Sequence, residues 1–140
     1  MNDKVKMKEA FEIAAAQIKE DLGNISFADY SDVVFIGKSI GTALAAYFDN
    51  ELKIGARHLV FTPVPQTFEM LRKNSGIVFH GLDDPWCPND IATAKCDELE
   101  LELYTVNNAN HSLETSSATE DIRNLKDIMQ IIMIWIKIPA

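Results

Sequence analysis

Three residues carry the types and order needed for acyl transfer: Ser39, Asp84 and His111. A serine is a weak nucleophile until a base takes its proton, and a histidine base works best when a carboxylate holds its ring. Ser39 lies in Gly37-Lys38-Ser39-Ile40-Gly41. A Gly-x-Ser-x-Gly string arises by chance in roughly one chain in twenty of this length, so the flanking sequence must carry the argument. Before it, Val33-Val34-Phe35-Ile36 reads as a short buried strand. After it, Thr42-Ala43-Leu44-Ala45-Ala46 reads as a helix. Strand, sharp turn and helix would expose the Ser39 hydroxyl, with the N–H of Ile40 at the helix start facing any oxyanion that forms. Gly37-Lys38-Ser39 also ends a phosphate-binding loop, but that loop needs a glycine where Asp32 stands. Nucleotide binding is rejected.

The rest of the chain must bring the three residues together. The sequence predicts a helix from Asn2 or Asp3 to Leu22, buried along Phe11, Ala14, Ala15, Ile18 and Leu22. The elbow strand and a helix from Ile40 to Asn50 follow. Arg57–Phe61 reads as a second strand, stopped by Thr62-Pro63-Val64-Pro65. A short helix over Gln66–Lys73, a third strand at Ile77–Phe79 and a helix over Asp90–Asp97 come next. Leu99–Val106 reads as an edge strand because Leu and Glu alternate in it. Ser117 and Glu120 form a capping box for a last helix reaching Lys137. Its predicted core stripe is Ile122, Leu125, Ile128, Met129, Ile132, Trp135 and Ile136.

Strands alternating with helices imply an α/β fold: three layers, with a mostly parallel four-stranded sheet covered by helices on both faces. Right-handed crossovers then bring all the strand ends to one rim, where ligands bind. Ser39 follows the first strand, Asp84 the third and His111 the fourth.

At that point the chain resembles the C-terminal half of an α/β-hydrolase. Gly37–Gly41 resembles the nucleophile elbow, Gly81-Leu82-Asp83-Asp84-Pro85 the acid loop, and Ala109-Asn110-His111-Ser112 the histidine loop. The resemblance covers essentially the whole chain. It implies a small esterase- or thioesterase-like acyl hydrolase with Ser39, His111 and Asp84 as its triad and Asp83 as fallback acid. It departs from the family in lacking the first strands and the loop that gives the second oxyanion donor. The elbow strand would then keep an open edge near Val33–Ile36. That edge is expected to be filled by a second copy, as a homodimer, unless the chain is a fragment of a longer protein. The alternative function is a catalytically weak or inactive half-fold used for binding or self-association.

Around the mouth, Lys38, Phe61, Thr62, Val64 and Trp86 are the candidate substrate-binding residues. His58 and His80 read as structural. Cys87 and Cys96 read as reduced, inert thiols, and no His/Cys/Asp cluster has metal-ligand spacing. No metal or cofactor is expected.

The chain's 140 residues, 47% of them apolar, suit one domain over 1–140. A net charge of −8 argues against nucleic acid and anionic membrane partners and leaves a small ester-like molecule as the expected substrate. Met1–Lys8 lacks the apolar core of a secretory signal, and Ile131–Ile136 is too short to span a bilayer, so a cytoplasmic location is expected.

Overall fold

The computed structural model describes residues 2–138. Four strands, β1 (Val34–Lys38), β2 (Arg57–Phe61), β3 (Gly76–Gly81) and β4 (Glu102–Val106), form one sheet in the order β1-β2-β3-β4. Every neighbouring pair is parallel, with Val34 opposite Arg57, His58 opposite Gly76 and Ile77 opposite Glu102. The helices are α1 (Asn2–Leu22), α2 (Ile40–Leu52), α3 (Asn89–Glu98) and α4 (Ala118–Lys137).

The sheet separates two cores. On one face Val60 and Val78 pack with Ala46 of α2, Ala92 and Cys96 of α3, and Phe68. On the other, Leu59, Ile77 and Phe79 pack under Ile128 and Ile132 of α4. The fold is therefore three-layered, with α2 and α3 opposite α4. α1 lies outside α2, where Phe11 meets Tyr47 edge-on at 6.0 Å. Its half-buried residues include the whole expected stripe of Phe11, Ala14, Ala15, Ile18 and Leu22. The helix already includes Asn2, so Asp3 sits in its first turn rather than at a cap. The Asn2 side chain lies outside the described residues.

Expectations for four elements need correction. β1 runs two residues further than the apolar run, because Gly37 and Lys38 still pair with Val60 and Phe61. It is the outer strand that the missing neighbours imply, so it is not buried as its apolar run suggests, and Ile36 is 70% exposed. The helix expected over Gln66–Lys73 is a 3₁₀ turn, Pro65–Glu69. There the Thr67 hydroxyl bonds that of Thr42 at 2.6 Å and Phe68 enters the core, which draws the segment inward before a second helical turn forms. β4 starts at Glu102, not Leu99. Leu99 closes α3, Glu100 turns at φ 54, and the buried Leu101 N–H returns to Cys96 O at 2.9 Å.

The last correction concerns α4. Ser117 Oγ accepts the Glu120 N–H, one half of the expected capping box, but the Ser117 N–H goes to Thr115 Oγ1 rather than back to Glu120. Ile128 and Ile132 are buried, but Ile122, Leu125, Met129 and Ile136 are exposed. Its apolar arc is wider than the strip that one sheet face can cover. No described helix is long and apolar enough to cross a membrane.

Candidate active site

Ser39 sits in the turn between β1 and α2. Its backbone adopts φ 54, ψ −126, a sparsely populated region for a residue with a Cβ. Such geometry costs about 1–3 kcal/mol and persists only where the surroundings enforce it. Here the Ser39 N–H donates to Phe61 O at 3.0 Å, and Ser39 O accepts from Thr42 N and from Thr42 Oγ1. Gly37 makes the turn possible. A Cβ there would meet Gly41 O and the Thr42 Cα at 2.8 Å, so strand and helix pass too close for any side chain.

Asp84 follows β3 on a turn whose Asp84 N–H returns to Gly81 O. Its carboxylate is buried and fully engaged: Oδ1 accepts the Trp86 N–H at 2.8 Å and Oδ2 faces His111 Nδ1 at 2.8 Å. Asp83, the fallback acid, is exposed, and its N–H is tied to Ala109 O. The loop after β4 is held by Asn110, whose Oδ1 accepts the N–H groups of Ser112 and Glu114. The two loops are stitched together by Leu82 N–H to Val106 O and Asp83 N–H to Ala109 O. Gly81 lets them approach, since a Cβ there would meet Ala109 O at 2.4 Å.

The three side chains converge. His111 Nε2 lies 2.7 Å from Ser39 Oγ, while its Nδ1 lies against Asp84. A carboxylate only accepts, so Nδ1 carries the proton and Nε2 accepts from the serine hydroxyl. The array can therefore deprotonate a serine and stabilise the imidazolium that results.

The surrounding residues divide. Lys38 is exposed, and its Nζ donates to His111 O at 3.4 Å. Trp86 is 53% exposed, with its ring 5.4 Å from that of His111. Ile40 opens α2, so its N–H has no partner within the helix. Thr62 and Val64 do not line the mouth as expected, because both are buried. Phe61 is half-buried and stacks on Phe79 at 4.9 Å against the core under α4. Thr62 holds a positive φ of 43 with its N–H bonded to Phe79 O, which turns it inward. A cleft of about 390 Å³ lies between β4 and α4, and none of Ser39, Asp84 or His111 lines it.

Gly81 and Asn110 were named in the sequence as parts of the acid and histidine loops, but their roles as supports were not read from it. An Asn ahead of a short polar loop is a known turn former, so Asn110 had a signal. Gly81 had none, since its role depends on a loop 28 residues away. The other two histidines lie away from the serine. His58 Nε2 meets the buried Asp49 at 2.8 Å, and His80 Nε2 meets Asn89 Oδ1 at 2.7 Å. Burial and neighbouring acids push the Cys87 thiol up to about 11 and that of Cys96 to about 12, so neither offers a thiolate. No group of metal-binding side chains occurs among the described residues.

No family model and no curated protein matches the chain. Solved structures do. The chain is similar to a YdeN-like hydrolase from Pectobacterium atrosepticum, at 19% identity over 86% of this chain and 70% of that one, with a TM-score of 0.58. It is similar to Thermogutta terrifontis esterase 2 phosphonylated by cyclosarin, at 16% identity over 76% of this chain and 55% of that one, with a TM-score of 0.57. A hydrolase of the α/β superfamily from Xanthomonas campestris is similar over 91% of this chain and 68% of its own, at 18% identity and a TM-score of 0.52. The chain has an α/β-hydrolase fold in truncated form, and it spans little more than half the length of the esterase.

Proposed function

We propose that the protein is a small serine hydrolase acting on ester-like acyl substrates. The observation that carries this reading is the relay of 2.7 and 2.8 Å from Ser39 through His111 to a buried Asp84, built on a strained turn. Ser39 Oγ attacks the carbonyl as His111 Nε2 takes its proton. The imidazolium then gives that proton to the leaving group, and Asp84 holds the ring throughout. Water repeats the sequence on the acyl-enzyme. The oxyanion receives the Ile40 N–H. Removing one oxyanion donor costs about 10²–10³ in turnover, so a site served by Ile40 alone is expected to be slow.

Trp86 offers a flat apolar wall on the His111 side. The substrate is a small molecule, and a cytoplasmic location remains part of this reading.

A binding-only reading has one observation in its favour: the cleft between β4 and α4 lies apart from the serine. A fluorophosphonate probe separates the two, and an esterase of this fold is itself described as phosphonylated. Labelling is expected, and Ser39→Ala and His111→Ala should abolish it. A folded protein that resists the probe at high concentration would leave the binding reading alone.

A further inference from the structure

The two rims of the sheet are built differently. At the β4 rim, α4 turns Glu120, Arg123, Asn124 and Asp127 toward the cleft beside the strand. That is a solvated flank. The opposite flank of α4, on the β1 side, carries Ile122, Leu125, Met129, Met133 and Ile136. At about 100° per residue these five fall on one stripe. All five are exposed, Ile122 by 70% and Leu125 by 59%.

β1 continues that surface. Its outer edge has no strand partner among the described residues. The bonds Arg57 N–H to Val33 O and Ser39 N–H to Phe61 O show that odd-numbered residues of this segment turn their peptide groups to β2. Val34, Ile36 and Lys38 therefore aim theirs outward. Side chains alternate, so Ile36 shares the α4 face with Val34, and it is 70% exposed. Natural edges are blunted by proline, bulges or charge; Val33–Gly37 has none of these, and Lys38 is the one charge within β1.

We propose that this surface binds a second copy of the chain, with β1 pairing antiparallel to β1 of the partner about a two-fold axis normal to the sheet. Such an axis keeps both α4 helices on the same face, so their apolar flanks meet above the seam. One register satisfies the side chains at every position on that face. Asp32 lies opposite the partner's Lys38 and Val34 opposite the partner's Ile36, while on the other face Phe35 lies opposite the partner's Phe35. The outward peptide groups of Val34 and Ile36 then pair with each other across the axis. Away from the seam, copies carrying a net charge of −8 repel. At the seam each Asp32, which Arg57 also holds, faces the partner's Lys38. The proposal does not rest on the catalytic reading.

Sedimentation velocity and light scattering test it on the full chain. The expected mass is twice 15.7 kDa. Ile36→Lys should return it to a monomer with unchanged circular dichroism, and so should Met129→Glu. The register has its own readout. A Phe35→Cys variant should form an intermolecular disulfide on mild oxidation, because opposed residues of a non-hydrogen-bonded pair lie about 4.5 Å apart. Cys87 and Cys96 are buried and do not compete. A monomer throughout the soluble concentration range overturns the proposal. So does a dimer that survives both Ile36→Lys and Met129→Glu, and so does a dimer in which Phe35→Cys never cross-links.

Discussion

At the residue scale, what matters is how each buried charge is matched. Asp84 has both oxygens occupied, one by the Trp86 N–H and one by His111. An Asp84→Asn variant keeps the shape but presents an amide to Nδ1, which favours the wrong tautomer. Its turnover should fall by about 10⁴, read as ester hydrolysis. Asp49 poses the same problem without chemistry. Burial pushes its carboxyl up, but hydrogen bonds from His58, the Ala56 N–H and Arg72 outweigh that and leave it below its ordinary 3.8. His58 is held below its ordinary 6.5, chiefly by burial, so it stays neutral and donates Nε2–H. Both groups bind fewer protons folded than unfolded. Their stabilisation is present at neutral pH and is lost on acidification, through His58 below 6.5 and through Asp49 below 3.8. Urea midpoints measured from about pH 7.5 down to about pH 5 should fall, and His58→Gln should flatten that slope. Asp49→Ala should cost about 1–3 kcal/mol by leaving His58 and the buried Ala56 N–H without their acceptor.

At the element scale, the site depends on two close approaches of backbone. Gly37 and Gly41 occupy equivalent places in the motif, yet they differ. A Cβ on Gly37 collides with α2, whereas a Cβ on Gly41 meets nothing within 4 Å. Gly37→Ala should destabilise the protein by about 1–3 kcal/mol and displace Ser39. Gly41→Ala should be neutral or stabilise by up to about 1 kcal/mol, since glycine is a poor helix residue. Denaturation curves and probe labelling of the two variants check this. The strands and helices themselves were largely legible. β2 lies where its β-branched and aromatic residues predict, and α1 buries the stripe that its period predicts. The misses share a cause. Gln66–Lys73 and Leu99–Leu101 have neutral local preferences, and Thr42, the core around Phe68 and the end of α3 decide their shape.

At the scale of the whole molecule, one residue ties the last helix to the first strand. Arg57 is buried, pairs with Asp32, and donates to Trp135 O, Ile136 O and Ile138 O at the end of α4. Its guanidinium also lies 4.4 Å from the centre of the Trp135 ring. Arg57→Met should release those carbonyls, costing about 1.5–3 kcal/mol. Hydrogen exchange should then speed up in the last turn of α4 ahead of its first turns.

Order along the chain was enough to foresee a serine, an acid and a histidine at the ends of the first, third and fourth strands, because parallel strands joined by right-handed crossovers leave the chain no other rim. Composition and periodicity were enough for the layers, because burial follows period. The sequence could not say which side of an apolar helix stays wet, since α4 reads the same whether or not a neighbour covers Ile122 and Leu125. Nor could it place Thr62 and Val64 inside, or give Gly81 a purpose. Those outcomes depend on which backbones meet, and that is set by distances between segments far apart in the chain.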